Sequence, residues 1–197
     1  MRVRVAMIVF AWGLVFQVAG TLAEPINFND FTVQGIPGQD QSGTTSILDG
    51  GLTLRMTGNN WKHIQFSNGE LTNIPADLII KFGFRSDEQG DIHGIMLGTN
   101  VTTTNTFKVY GTQPYGDQTN ATYTAGDEGT FKSFRIPVGQ NRVGDSFTNL
   151  TFLGDDDDNG GDQVSFYRNV ELVPEPATSG LVAISLLVAL ICRRRRA

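Results

Sequence analysis

The sequence predicts an all-β fold, an antiparallel two-sheet β-sandwich of jelly-roll type, and three observations predict it. Apolar and polar residues alternate with period two over several short runs. Clusters of Gly, Asn and Asp separate those runs. No long stretch carries the 3.6-residue period of an amphipathic helix. Eight or so strands at such spacing close into two packed sheets.

Taken in order, the first element lies outside the sandwich. Arg2 and Arg4 precede a nearly unbroken apolar run over residues 5–18, and Thr21, Leu22 and Ala23 follow. This is the layout of a secretory signal peptide over residues 1–23, cut by signal peptidase after Ala23, with Ala19 and Gly20 as alternatives. Residues 27–33 predict a first edge strand. Leu52, Leu54 and Met56 alternate with Thr53, Arg55 and Thr57. Leu78, Ile80, Phe82 and Phe84 alternate with Ile79, Lys81, Gly83 and Arg85, the clearest half-buried strand of the chain. Shorter runs follow at residues 92–97, 107–110, 131–136, 150–153 and 164–172. Turn-rich joints stand between them, such as Asp49-Gly50-Gly51 and residues 155–161. Residues 37–43 and 100–105 read as exposed loops.

The central segment, residues 24–172, holds nine Lys+Arg against nineteen Asp+Glu, a formal charge of −10. The whole chain counts only −5, because six arginines sit in the two ends. So acidic a domain argues against nucleic acid, which is bound by basic patches that displace counterions. It suits an exported protein or one that gathers divalent cations, and it repels anionic glycans unless a cation bridges them. Cys192 is the one cysteine and lies in the tail, so no disulfide framework holds the domain.

The tail, residues 173–197, has three parts. Pro174-Glu175-Pro176 is stiff, since each proline fixes its φ and disfavours helix in the residue before it. An apolar run over residues 180–192 follows, and residues 177–192 as a transmembrane helix span roughly 24 Å, a little short of a ~30 Å hydrocarbon core. Arg193, Arg194, Arg195 and Arg196 close it, held at the cytoplasmic face. This order of parts resembles the PEP-CTERM sorting signal of Gram-negative bacteria. The resemblance implies recognition at Pro174-Glu175-Pro176 by an exosortase, a membrane-embedded transpeptidase with a cysteine nucleophile. It also implies transient anchoring in the inner membrane, removal of the tail, and delivery to the cell surface or extracellular polymer matrix. An ordinary single-pass anchor is the alternative.

Candidate binding residues are few. Asp155, Asp157, Asn159 and Gly160 have the alternating oxygen ligands and sharp-bend glycine that begin a calcium loop. Phe166 stands where an EF-hand has its closing Glu, so Asp162 or a carboxylate from another loop would complete a Ca2+ site. A solvated acidic hairpin tip is the alternative. Trp61, the tryptophan left once Trp12 departs with the signal, could stack on a sugar face or serve as core. Tyr110, Tyr115 and Tyr123 flank the loop over residues 111–126, and Tyr115, between Pro114 and Gly116, is expected to be the most exposed. His63 and His93 lack a nucleophile setting or a metal spacing and read as structural. Acidic neighbours such as Asp87 and Glu88 sit in turns, not across a cleft as a glycosidase needs.

Several stretches, in order, are similar to the carbohydrate-binding-module-like jelly-roll domains appended to secreted bacterial proteins. They are Gly58-Asn59-Asn60-Trp61-Lys62, the strand at residues 78–84, Asp91-Ile92-His93-Gly94-Ile95, and Phe107-Lys108-Val109-Tyr110-Gly111. Phe134-Arg135-Ile136-Pro137, Leu150-Thr151-Phe152, the acidic loop and Phe166-Tyr167-Arg168 complete the series. The similarity covers residues 48–172. It departs at Met96-Leu97-Gly98 and lacks a tryptophan before Phe134. The expectation is an exported, non-catalytic domain that binds polysaccharide. A structural matrix component without a discrete ligand is the alternative, and a glycoside hydrolase without a recognisable motif is a third.

Overall fold

In the computed structural model, residues 23–157 and 163–174 are described. The expected signal segment up to residue 22, loop residues 158–162 with Asn159 and Asp162, and the tail from Glu175 through Pro176 to the arginines lie outside the described residues.

Among the described residues, ten strands make two antiparallel five-stranded sheets. Sheet A runs β1 (Gln34–Gly35), β4 (Asn60–Gln65), β9 (Asn149–Asp155), β6 (Ile92–Leu97), β7 (Thr106–Tyr110). Sheet B runs β2 (Thr45–Leu48), β3 (Thr53–Thr57), β10 (Val164–Pro174), β5 (Leu78–Glu88), β8 (Lys132–Ile136). Counted from β3, the first, eighth, third and sixth strands share sheet B, and the second, seventh, fourth and fifth share sheet A. That is the jelly-roll order the sequence predicts.

The facing sides of the sheets build the core from alternate residues. Leu78, Ile80, Phe82 and Phe84 of β5 meet Ile64, Ile95, Phe107 and Phe152 of sheet A, all in one buried cluster. Tyr167 of β10 stands among Phe82, Phe84 and Phe152 and donates its hydroxyl to the Leu153 carbonyl at 2.6 Å. Such a core stabilises by roughly 25 cal/mol per Å² of apolar surface removed from water.

The outer sides differ, and the difference decides where a ligand could lie. On sheet A, Ile36, Trp61, Ile92, Met96 and Leu153 form a second buried cluster, with Tyr115 packed on it. Two loops roof that side. One is fixed by the Ile36 amide on the Trp61 carbonyl, the other by the Asp117 amide on the Thr106 carbonyl. On sheet B, Arg135 and Arg168 point to open solvent.

Some elements depart from expectation. Residues 27–33 form no edge strand: the Asn27 side chain accepts from the Asn29 amide at 3.0 Å and winds Phe28–Asp30 into a 3-10 turn. The edge strand is Gln34–Gly35. The loop over residues 37–43 is anchored on sheet A by the Gln41 and Ser42 amides, which donate to the Asn59 carbonyl. A short helix, α1 (Val138–Arg142), buries Val138 in the core. The last strand runs to Pro174, past the expected boundary at residue 172.

Candidate functional site

The acidic end of β9 is assembled by strand pairing. Ile92 opposes Asp155, so Asp91 lies beside the residues that follow β9. The Asp91 amide donates to the Asp155 carbonyl at 2.7 Å, and the Asp157 amide donates to Asp91 Oδ2 at 2.9 Å. Carboxylate oxygens of Asp91, Asp155 and Asp157 lie within 4.8 Å of one another. Asp91 and Asp155 are buried and Asp157 is exposed. Burial pushes the Asp155 carboxyl up to about 6; the Trp61 N–H bond opposes that shift and the charges of Asp157, Asp91 and Asp156 add to it.

Asn59 completes this corner. It is 4% exposed, its amide nitrogen donates to Asp157 Oδ1 at 2.5 Å, and its amide oxygen is buried without a hydrogen-bond partner. Three carboxylates brought this close are an oxygen-only donor set, to which Asn59 turns its amide N–H. Such a set suits a hard cation, and Ca2+, which accepts six to eight oxygens in irregular geometry, fits it better than Mg2+.

A buried polar chain fastens the corner to the fold. The Gly90 amide donates to His93 Nε2 at 2.9 Å, so the proton sits on Nδ1, which meets Ser165 Oγ at 2.7 Å. Ser165 donates to Gln163 Oε1 at 2.8 Å, and Gln163 Nε2 donates to the Gly58 carbonyl beside Asn59. Burial holds the His93 imidazole down at about 3, with Lys108 adding to the shift. His93 is therefore structural, as its setting in the sequence implied.

The aromatic candidates are mostly withdrawn from solvent. Trp61 is 1% exposed, and its indole N–H donates to Asp155 Oδ1 at 3.0 Å. It is core beneath the roofing loops, not a stacking platform. Tyr110 and Tyr123 are each 3% exposed. The Tyr110 hydroxyl donates to Glu128 at 2.7 Å and that of Tyr123 to the Asp127 carbonyl at 2.6 Å. Tyr115 alone of the three is half-buried, and burial and the Asp155 charge raise its hydroxyl.

The open face of sheet B holds residues the sequence reading did not single out. A shallow trough runs over Gly83, lined by Lys81, Ser133, Arg135, Arg168, Asn169 and Glu171. A Cβ on Gly83 would stand 2.9 Å from Arg168 Cγ, so glycine there lets Arg168 lie across the sheet. Beside the trough, the Arg168 guanidinium lies 3.6 Å from the centre of the Phe131 ring and that of Arg85 lies 3.9 Å from Phe166. The signal was present as alternation, since Lys81, Gly83 and Arg85 are the outward partners of Ile80, Phe82 and Phe84. Which strands flank them was not.

No protein-family model matches the chain, and no curated protein matches it. Solved structures similar to it include a crystal structure with xylogluco-oligosaccharide, at 16% identity and a TM-score of 0.46 over 78% of this chain and 39% of that one. A second is a fragment comprising domains CD of its protein, at 15% identity and 0.43 over 78% and 66%. A third is the family 30 carbohydrate-binding module of a cellulosomal cellulase of Clostridium thermocellum, at 14% identity and 0.44 over 78% and 94%. The chain spans well under half the length of the first of these.

Proposed function

We propose that this chain is a non-catalytic carbohydrate-binding domain that receives polysaccharide on the outer face of sheet B. The observation that carries the reading is the contrast between the two outer faces: sheet A is roofed, while sheet B presents an open trough. Ser133, Arg135, Arg168 and Asn169 offer hydrogen-bonding groups along it, beside the half-buried Phe131 ring. The Arg168 guanidinium covers the Phe131 ring, so the trough would grip a sugar's hydroxyls through polar donors that the ring holds in place. Turnover is not part of the reading. The carboxylates that come together, Asp91, Asp155 and Asp157, converge on one point within 4.8 Å. A glycosidase sets its pair facing across roughly 5–9 Å.

The Asp91, Asp155 and Asp157 corner is read as a structural Ca2+ site, in which the cation would offset the repulsion among the carboxylates. Export through the signal segment and sorting through the Pro174-Glu175-Pro176 tail by an exosortase complete the proposal, resting on the residue pattern of the two ends.

Affinity electrophoresis of the full chain in mild detergent, run through gels containing soluble polysaccharides, tests the reading. Retardation by at least one polymer, weakened by Phe131→Ala and without release of reducing sugar, is expected. Free migration through every polymer would leave a matrix component without a discrete ligand.

A further inference from the structure

We infer that the open face of sheet B takes an anionic polysaccharide, one bearing carboxylates along its chain. This rests on the carbohydrate reading above and names its ligand class. The domain is acidic overall, with nine Lys+Arg against nineteen Asp+Glu over residues 24–172. Yet Arg55, Lys81, Arg85, Arg135 and Arg168 all project from this one face, with Asp87 and Glu171 as its carboxylates.

The strand register arrays these cations. Arg55, Phe166 and Arg85 are neighbours across β3, β10 and β5. Arg168, Gly83 and Ser133 form the next row, and Glu171, Lys81 and Arg135 the one beyond. Rows two residues apart are separated by about 6.6 Å along the strands, and strands by about 4.8 Å. Cations therefore recur at short intervals along one direction, the arrangement that meets a polymer carrying a charge on each repeat.

One guanidinium is also held ready. Arg168 lies on the Phe131 ring, whereas Arg85, on Phe166, already has its fork on the Asp87 carboxylate. A stacked guanidinium keeps its N–H edges free, and its planar fork matches a carboxylate in bidentate fashion. Among the ion pairs of the described residues, Arg85 is engaged by Asp87 at 2.8 Å, and none involves Arg55, Lys81, Arg135 or Arg168. Asp87 and Glu171 offset part of the charge on this face, and the remainder is what a bound anion would neutralise.

The net charge does not forbid this. Five strands span roughly 19 Å, more than twice the ~8 Å screening length at physiological salt. A ligand on the face responds to the cations beneath it rather than to the acidic remainder. Calcium bridging, which the net charge alone would require, is unnecessary. A nucleic acid is held by extended basic surfaces, whereas the cations here are confined to one face of an acidic domain, so the polysaccharide is favoured.

The experiment measures binding of the full chain in mild detergent, with chelator present throughout. The probes are a polyuronate, the same polymer with its carboxyls esterified, and a single-stranded DNA. Binding to the free polyuronate is expected to fall about tenfold or more between ~0.05 and ~0.5 M salt. The Arg135→Gln, Arg168→Gln double variant should lose it to a similar extent while melting like the parent. Arg142→Gln, on α1 and paired with Asp145, should leave it unchanged. Equal binding of the esterified polymer, or full binding by a folded double variant, overturns the inference while the carbohydrate reading stands. Tighter binding of DNA assigns the face to nucleic acid. Failure of the polyuronate in both forms overturns the inference, and only free migration through every polymer of the electrophoresis above overturns the carbohydrate reading with it.

Discussion

Trp61 shows how a residue's role is set by partners far away in sequence. Its ring is packed by Ile36, Ile92, Met96 and Leu153 and its N–H holds Asp155. Trp61→Ala should cost about 3–5 kcal/mol, and Trp61→Phe, which keeps much of the apolar burial but strips the donor from Asp155, about 1–3 kcal/mol. Urea unfolding of the two variants checks both figures, and unchanged stability in Trp61→Ala would restore a surface role. His93 makes a prediction in pH. Its folded pKa of about 3 lies below the ordinary value of about 6.5, so the unfolded chain binds the proton more readily. The stability this contributes is whole above about pH 6.5 and is lost as pH falls toward 3. Protonated Nε2 would also turn an N–H toward the Gly90 N–H that it now accepts from. Asp155 works in the opposite sense: its raised pKa of about 6 contributes stability below the ordinary carboxylate range, lost as pH rises through 6. Unfolding midpoints of His93→Gln measured from pH 7 to pH 4 should show the Asp155 slope without the opposing one, so the variant should gain stability relative to the parent as pH falls.

At the scale of elements, legibility followed burial of one side. β5 was readable because one side faces the core and the other solvent, which keeps period two intact. β6 was located at residues 92–97, but all six of its residues are buried, since the roofing loops cover its outer side. β4 was missed for the same reason: Asn60, Trp61 and Ile64 are all buried, and that hides any alternation. β1 and β2 are short and lie at sheet edges, with too few residues to show a period. The acidic corner was half legible. Asp155 and Asp157 stand in a conspicuous run, while Asp91 and Asn59 are supplied by the pairing of β6 and β4 with β9, which composition does not reveal. The basic face was illegible for a like reason, because its cations come from four strands. One glycine tests the sheet A pairing directly. A Cβ on Gly94 would stand 2.2 Å from the Phe107 carbonyl oxygen, a backbone atom with little room to yield. Gly94→Ala should destabilise by about 1–3 kcal/mol or more, seen as a lowered melting temperature, and an unaltered melt would contradict the β6–β7 register.

For the whole molecule, the jelly-roll order brings distant segments together at the acidic corner, so a cation there would tie β6 to β9 and to the loop after it. A ligand bound only by the folded state stabilises by RT ln(1 + [L]/Kd), about 2.7 kcal/mol at a hundredfold excess over Kd. Thermal melts in calcium against chelator should differ accordingly, and Asp91→Asn should shrink the difference; coincident melts would remove the site. The placement of β10 has a mechanical consequence. It lies inside sheet B, hydrogen-bonded to β3 on one side and β5 on the other, and its final residue Pro174 still pairs with Leu78. Tension applied through the chain beyond Pro174 therefore pulls along β10 in shear. The β5 ladder, and the β3 ladder over Val164–Arg168, load together, whereas an edge strand is held by one ladder. A domain held by that end would bear drag on a bound polymer without opening, and force spectroscopy with the handle at the C-terminal side should find a higher rupture force than with the handle at β8.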